Sequence, residues 1–385
     1  MKKIVFCFLG LLAVLYTASA QSYTFNHGPY LQELSEHAVT FVFTTSDKGF
    51  SWVEVKPDGG EAERHYTVRN GLRDAYNTFN VIRVENLRPD TRYQYRLCSK
   101  QIADFQPYKV TFGDSIVSPW RRFSTPDPKA TACSFIALSD MHQQPDKLGR
   151  LLNQAGVGSA DMIFYVGDMI NYYDNEETPF RSFIDKSVEL FASEKPFVLV
   201  RGNHETRGNM AREYARYVPK SSGKYYGAYR VGDIMFIVLD CGEDKPDDFW
   251  VYAGLTDFDG YRTEQAAWFG ELIRSKAYKS AKWRIVMNHF PPLSHMESDN
   301  PERHGIQDIT DKFLPLYNQA KIDLMISGHT HAYEFMSPDK YDRLTFPVIV
   351  NSTESVARID IDGRTLKAKV TDTGGNTLKE FTISK

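Results

Sequence analysis

Six apolar runs, "CSFIAL", "MIFYV", "FVLV", "IMFIVL", "WRIVM" and "LMI", recur between Cys133 and Ile326 and constrain the fold more than any other feature of the chain. A strand with one wet face alternates apolar and polar residues. These runs do not alternate, so each reads as a strand covered on both faces. Between several of them lie stretches with helical spacing: "DKLGRLLNQAG", "FRSFIDKSVELFAS" and "EQAAWFGELIRSK". Buried strands alternating with helices predict an α/β domain. In such sheets a ligand sits beyond the carboxyl ends of the strands, so the residues that close each run matter most. They are Ser139-Asp140-Met141-His142, Gly167-Asp168, Gly202-Asn203-His204-Glu205, Asp240, Asn288-His289 and Gly328-His329-Thr330-His331. Five of these six ends carry side chains able to bind a metal. His329 and His331 stand two residues apart, and in an extended segment both rings would face one spot.

The first third of the chain has a different rhythm. From about Tyr23 to Thr125 short stretches alternate with period two, among them "HAVTFVFTT", "SWVEVK", "HYTVR", "NTFNVIRVENL" and "RYQYRLCS", separated by turns such as Pro57-Asp58-Gly59-Gly60 and Asn70-Gly71. Regular strands with turn punctuation predict an all-β sandwich over residues 23–125. "LRPDTRYQYR" carries the pattern of an immunoglobulin-like, fibronectin type III domain, with a tyrosine expected to anchor a corner through its hydroxyl. Two prolines in "STPDPKAT" mark a linker, placed at 126–132, and the α/β domain then runs over 133–385. The tail "VARIDIDGRTLKAKVTDTGGNTLKEFTIS" predicts three antiparallel strands on the outer edge of a sheet, with Asp360 and Asp362 in a hairpin turn rather than a calcium loop.

The chain of 385 residues, 42% hydrophobic and 25% charged, suffices for two real cores. Its start, "MKKIVFCFLGLLAVLYTASAQS", reads as a secretory signal peptide over residues 1–20, which implies a secreted or periplasmic protein. No later apolar run is long enough to span a bilayer. Losing Lys2 and Lys3 with the leader takes the formal charge from −3 to −5, which gives no general attraction for nucleic acid. Of the four cysteines, Cys7 leaves with the leader. Cys98, Cys133 and Cys241 lie far apart beside apolar runs and are expected as buried thiols, with at most one disulfide among them.

In chain order the strand ends form the set D-x-H, G-D, G-N-H-E, H and G-H-x-H. Oxygen donors mixed with imidazoles, without a thiolate, suit Zn, Mn or Fe. This ordered set resembles the calcineurin-like metallophosphoesterase superfamily over essentially the whole α/β domain, which implies a four-layer αββα sandwich and two metal ions. By that resemblance Asp140, His142, Asp168 and His331 hold the first ion, and Asp168, Asn203, His289 and His329 the second, with Asp168 shared. Gly167, Gly202 and Gly328 would let the backbone turn sharply while the ligands converge. Two cations about 3.5–4 Å apart clamp the attacking and leaving oxygens of an in-line displacement, and a hydroxide bridging them is the expected nucleophile. His204 follows a ligand yet matches no ligand position. It is the expected general acid or positive donor at the leaving group, and Glu205 is expected to orient its neighbours.

The leading sandwich, the motif order and the β-rich tail together resemble the purple acid phosphatases and their bacterial relatives. Those enzymes place a tyrosine three residues after the bridging aspartate and lack the histidine of D-x-H. This chain has Asn171 at that position, Tyr172 one place late, and His142 present, which counts against an iron–tyrosinate centre and an acid pH optimum. "HFPPLSHMESDNPERHGI" continues from His289 with His295, Arg303 and His304 and is expected as a loop over the phosphate. The acidic, aromatic "CGEDKPDDFWVYAGLTDFDGY" is expected to rim the site and repel long polyanions. The function so implied is a secreted dinuclear-metal phosphohydrolase acting on small phosphomonoesters. A phosphodiesterase or nucleotide pyrophosphatase would use the same metal core. A catalytically inert binding protein that works through the sandwich is the alternative of another class.

Overall fold

The computed structural model describes residues 22–293, 295–296 and 299–385. The leader expected over 1–20, with Cys7, lies outside them.

The N-terminal region is organised by one long strand. β1 (Tyr30–Gln32) is followed by β2 (Val39–Pro57), which runs 19 residues because a bulge between Thr44 and Gly49 lets pairing resume beyond "SDK". The first half of β2 pairs with β1 and with β3 (Asn77–Val84), and its second half with β4 (Arg92–Gln106). One strand thus serves both halves of the sandwich. Phe41 and Phe43 from its first half share a core with Val53 and Val55 from its second, and with Tyr95 and Phe123. The strands are longer than the sequence pattern predicted. β4 continues into a hairpin with β5 (Lys109–Val117), which is exposed along almost its whole length, so no buried face imposes the alternation that reveals a strand. The Tyr93 hydroxyl accepts the Arg88 backbone N–H (2.8 Å), which fixes the corner in "LRPDTRYQYR". β6 (Arg121–Ser124) pairs with the start of β4 and leads out of the sandwich.

The chain then alternates strands and helices: β7 (Ala132–Leu138), α1 (Pro145–Gln154), β8 (Met162–Tyr165), a helical stretch over 180–192, β9 (Phe197–Leu199), β10 (Gly227–Val231), β11 (Ile234–Leu239), α2 (Phe258–Leu272), β12 (Trp283–Asn288), α3 (Arg303–Ala320), β13 (Leu324–Ser327), β14 (Glu334–Met336), β15 (Val348–Val350), β16 (Ser355–Asp362), β17 (Thr365–Asp372) and β18 (Thr377–Ser384). They form two six-stranded sheets, ordered β9-β8-β7-β16-β17-β18 and β10-β11-β12-β13-β15-β14. The ligand-bearing strands β7, β8 and β9 are mutually parallel, as are β11, β12 and β13. The three tail strands add antiparallel at the free edge of β7.

The layer order explains why the apolar runs do not alternate. In β7, Phe135 and Ala137 pack between the sheets against Phe164, Phe236 and Val238. Ile136 and Leu138 face outward onto Leu148 and Leu151 of α1 and onto Phe183. In the second sheet Met235 and Ile237 face outward onto Phe269 of α2 and onto Phe313 and Tyr317 of α3. Both faces of each strand are dry, and the result is a four-layer αββα sandwich. One element corrects the sequence reading. The segment expected as a loop through Ile306 turns helical at Arg303, where α3 begins just after Pro301 and Glu302.

The two regions are joined by buried contacts. Tyr30 and Val42 belong to the same core as α1, the Tyr30 hydroxyl donates to Tyr217 O (2.8 Å), and the Tyr95 hydroxyl donates to Ser193 O (2.6 Å). Cys98, Cys133 and Cys241 are buried free thiols, as expected. Among the described residues no helix is long and apolar enough to cross a membrane.

Candidate metal centre

Parallel strands deliver their carboxyl ends to one edge of each sheet, and there the residues after β7, β8, β9, β12 and β13 converge. The ligand atoms of Asp140, His142, Asp168 and His331 all lie within 4.8 Å of one another, and those of Asp168, His289 and His329 form a second such group. Asp168 belongs to both.

The backbone pays locally for this convergence. Asp140, His142, Asp168, His329 and His331 all have positive φ, between 44° and 72°. The left-handed region costs a non-glycine residue of order 1 kcal/mol, a strain that recurs at functional sites. The two histidines of "GHTH" are therefore not delivered by an extended strand, as period two suggested. They leave β13 through left-handed turns and face different groups. Gly167 has φ +88°, and a Cβ there would meet the His289 ring. Gly202 has no positive φ. It is needed because a Cβ would collide with Asp168 Oδ1 and its backbone nitrogen.

Hydrogen bonds set the direction of each ring. His289 Nδ1 donates to Val166 O (2.7 Å), so Nε2 is the atom turned inward, 3.1 Å from Asp168 Oδ2. His142 Nδ1 lies 3.1 Å from Asn171 Oδ1, and its Nε2 is 3.0 Å from His331 Nε2. Asp140 is fully buried, accepts the His329 backbone N–H (3.1 Å) and the Ser139 hydroxyl, and lies 3.5 Å from His331 Nε2. Glu205, also buried, accepts backbone N–H groups from Asp168 (2.9 Å), Met169 (2.8 Å) and Gly202 (2.8 Å), tying the loop after β8 to the loop after β9.

Charge in the cluster is concentrated on one buried pair, Asp168 and His289. Burial opposes ionisation of Asp168, but His289, with help from His204 and His329, holds the carboxyl well below the usual range. Burial would lower His289, yet Asp168 and Asp140 carry it up to about 10. Burial pushes His142 down to about 4 and His329 down to about 3, the direction in which an imidazole nitrogen stays free to act as a ligand. Asn203 Oδ1 and His329 Nε2 are buried and make no hydrogen bond, and His289 Nε2 has Asp168 Oδ2, at 3.1 Å, as its one close partner. Each such atom costs roughly 1–3 kcal/mol if nothing binds it. Imidazole nitrogens, a buried amide oxygen and a shared carboxylate are together the donor set of a cation, so these residues fit a metal ion.

His204 lies beside the groups without joining either. Its backbone N–H donates to Asp168 Oδ1 (3.0 Å), Nδ1 donates to Asn171 O (2.6 Å), and Nε2 is 3.9 Å from Asp168 Oδ2. A guanidinium can only donate, so the 3.0 Å contact from Arg207 Nη1 makes His204 Nε2 an acceptor here. Arg207 was not singled out in the sequence, nor was Asp244, whose Oδ2 lies 3.5 Å from Asn203 Nδ2. Nothing in the spacing of G-N-H-E marks the arginine two places beyond it. The acidic insertion does reach this edge, through Glu243 and Asp244, both bonded to Arg207. His295 and Arg303 find partners of their own. His295 pairs with Glu334 (3.2 Å), Arg303 bonds to Gln307 (3.2 Å), and the two line a separate cavity with Lys340 and Arg343. His304 faces Asp259 of α2 (2.8 Å).

Comparison with known proteins follows the same lines. Residues 133–333 match the family described as calcineurin-like phosphoesterase. Purple acid phosphatase 21 of Arabidopsis thaliana is 22% identical over 277 residues, 68% of this chain and 55% of its own length. Purple acid phosphatase 1 of Ipomoea batatas is 23% identical over 264 residues, 65% of this chain and 50% of its own length. The chain spans about half the length of the curated relatives it matches. Among solved structures, purple acid phosphatase PPD1 from yellow lupin (Lupinus luteus) superposes with a TM-score of 0.65 at 14% identity, covering 92% of this chain and 74% of that one. A structure of PhoD gives 0.62 at 13% identity, covering 92% and 89%. At such identities the structural likeness speaks for the fold alone.

Proposed function

We propose, from the premise that this chain belongs to the calcineurin-like phosphoesterase family, that it hydrolyses small phosphomonoesters at a site for two metal ions. A metal-dependent phosphoesterase of purple acid phosphatase type is the activity its relatives share. The observation that carries the reading is the pair of ligand groups joined through Asp168. Asp140, His142, Asp168 and His331 would hold one ion, and Asp168, Asn203, His289 and His329 the other. Bound ions supply Lewis acidity toward phosphoryl oxygens and a nucleophilic hydroxide at neutral pH.

The chain's own residues do the rest. Val166 O and Asn171 fix the tautomers of His289 and His142, so each presents Nε2 to the centre. We assign His204 to the leaving-group side. The Nδ1–H bond to Asn171 O leaves Nε2 as the atom that meets substrate, and a proton given from there must first displace Arg207. Zn, Mn or Fe suits the donor set. Export through the leader at residues 1–20 is proposed from the sequence alone. The test is turnover of a chromogenic monoester and of a diester with the same leaving group by metal-loaded protein. The reading expects the monoester to be the better substrate. Faster cleavage of the diester would make the chain a phosphodiesterase on the same core.

A further inference from the structure

Arg207 is held in a way that its position in "GNHETRG" does not announce. Its Nε and Nη2 donate to Glu243 (3.0 and 2.9 Å), Nη2 also donates to Asp244 (3.1 Å), and Nη1 donates to His204 Nε2 (3.0 Å). Glu243 and Asp244 are 2% and 4% exposed, so these are buried acids that need the cations they hold. Glu243 is itself braced by Thr206 (2.8 Å) and Tyr252 (3.0 Å), and Asp244 by Lys245 (2.8 Å). Arg207 and Lys245 offset the two carboxylates, Lys245 reaching Glu302 as well (3.2 Å), and the Nη1 end of the arginine lies on the His204 side. A guanidinium has five N–H groups, and four are engaged. The fifth is on Nη1, the nitrogen next to His204, and the side chain is 30% exposed. A fixed cation with one donor left over, beside a histidine whose Nε2 lies 3.9 Å from the shared carboxylate, is arranged to meet an anion.

We propose that Arg207, aimed by Glu243 and Asp244 of the acidic insertion, binds a non-bridging oxygen of the substrate's phosphoryl group and thereby favours dianionic monoesters over monoanionic diesters. The inference rests on the phosphomonoester reading above and names a residue that decides it. A monoester offers a third non-bridging oxygen and a second negative charge, and a diester offers neither. The insertion expected to repel long polyanions therefore has a second task, which is to hold a cation toward the site while its own charge stays neutralised.

The experiment compares wild type with Arg207→Ala, Arg207→Lys and Glu243→Gln. It measures kcat/KM on a chromogenic monoester and a diester of the same alcohol, affinity for inorganic phosphate by calorimetry, and metal content. Arg207→Ala is expected to lower monoester kcat/KM about 10²-fold, the usual loss for one oriented donor, and to lower diester kcat/KM by less than about tenfold. Phosphate affinity should fall by about tenfold or more, and lysine should restore part of both losses. Glu243→Gln keeps the charge and loosens its aim, so it should show the same monoester-selective loss at smaller size, which decides the matter if Arg207→Ala loses metal. Equal losses on the two esters, or unchanged phosphate affinity, would overturn the proposal. If wild type cleaved neither ester, the functional reading would fall, and phosphate binding by the same variants would still decide the role of Arg207.

Discussion

Among single residues, Asn171 stands where the purple acid phosphatases have their tyrosine, and the structure shows what it does instead. Its Nδ2 donates to Gln143 Oε1 (3.0 Å), which turns Oδ1 toward His142 Nδ1 (3.1 Å) and leaves His142 Nε2 free to face the cluster. Losing such an orienting partner typically costs 10- to 100-fold in metal affinity, so Asn171→Ala should weaken one of two metal sites by about that much in a metal titration. Two unchanged sites would contradict it. Tyr172 is 53% exposed, so its ring lies largely in solvent. Iron-loaded protein under air should therefore be nearly colourless. A purple band that vanished in Tyr172→Phe would show a phenolate on the metal. The ligand types were legible in the sequence because each closes an apolar strand. The roles of Asn171 and Arg207 were not, because they depend on side-chain hydrogen bonds across loops that turn through left-handed backbone at Asp140, His142 and Asp168.

Between elements, the loop after β8 and the loop after β9 are tied by one buried carboxylate, Glu205, which accepts backbone N–H groups from Asp168, Met169, Ile170 and Gly202 with both oxygens. Burial, then the Asp168 charge, pushes its carboxyl up to about 7, against those hydrogen bonds. Glutamine has a single acceptor oxygen, so Glu205→Gln leaves at least one buried N–H unmet. The variant should lose about 1–3 kcal/mol in denaturant unfolding of metal-free protein. A loss under about 0.5 kcal/mol would mean the loops are held by something else. The strands behind these loops were readable because dryness on both faces forbids alternation, as with Phe135 and Ile136 pointing to opposite cores. The β4–β5 hairpin escaped because β5 buries almost nothing, and the start of α3 because Pro301 lies in a stretch that otherwise reads as a loop.

For the whole molecule, the sandwich packs directly onto the metal-bearing domain. His27 stacks on Phe180 (4.0 Å between ring centroids) and pairs with Asp185 (3.0 Å) and Glu177 (3.2 Å). Burial lowers its basicity, but the two carboxylates outweigh that and raise it above the ordinary imidazole value. A raised imidazole stabilises the fold fully below about pH 6.5 and loses that contribution as the pH climbs past its folded value. The Tm gap between wild type and His27→Ala should therefore be wider at pH 6 than at pH 8. An equal gap would show that only the stacking matters. Composition and strand rhythm indicated two regions, but the shared core at Tyr30 and Val42 joins residues too distant in sequence for either pattern to foresee. Above all, the chain is a frame that brings two ligand groups together on one carboxylate. The most direct measurement is metal stoichiometry together with monoester turnover, for wild type and Asp168→Ala. The account predicts two ions per wild-type chain and a variant that loses bound metal and activity together. A variant that kept both ions and its turnover, or a wild type that bound two ions and cleaved no phosphate ester, would contradict it.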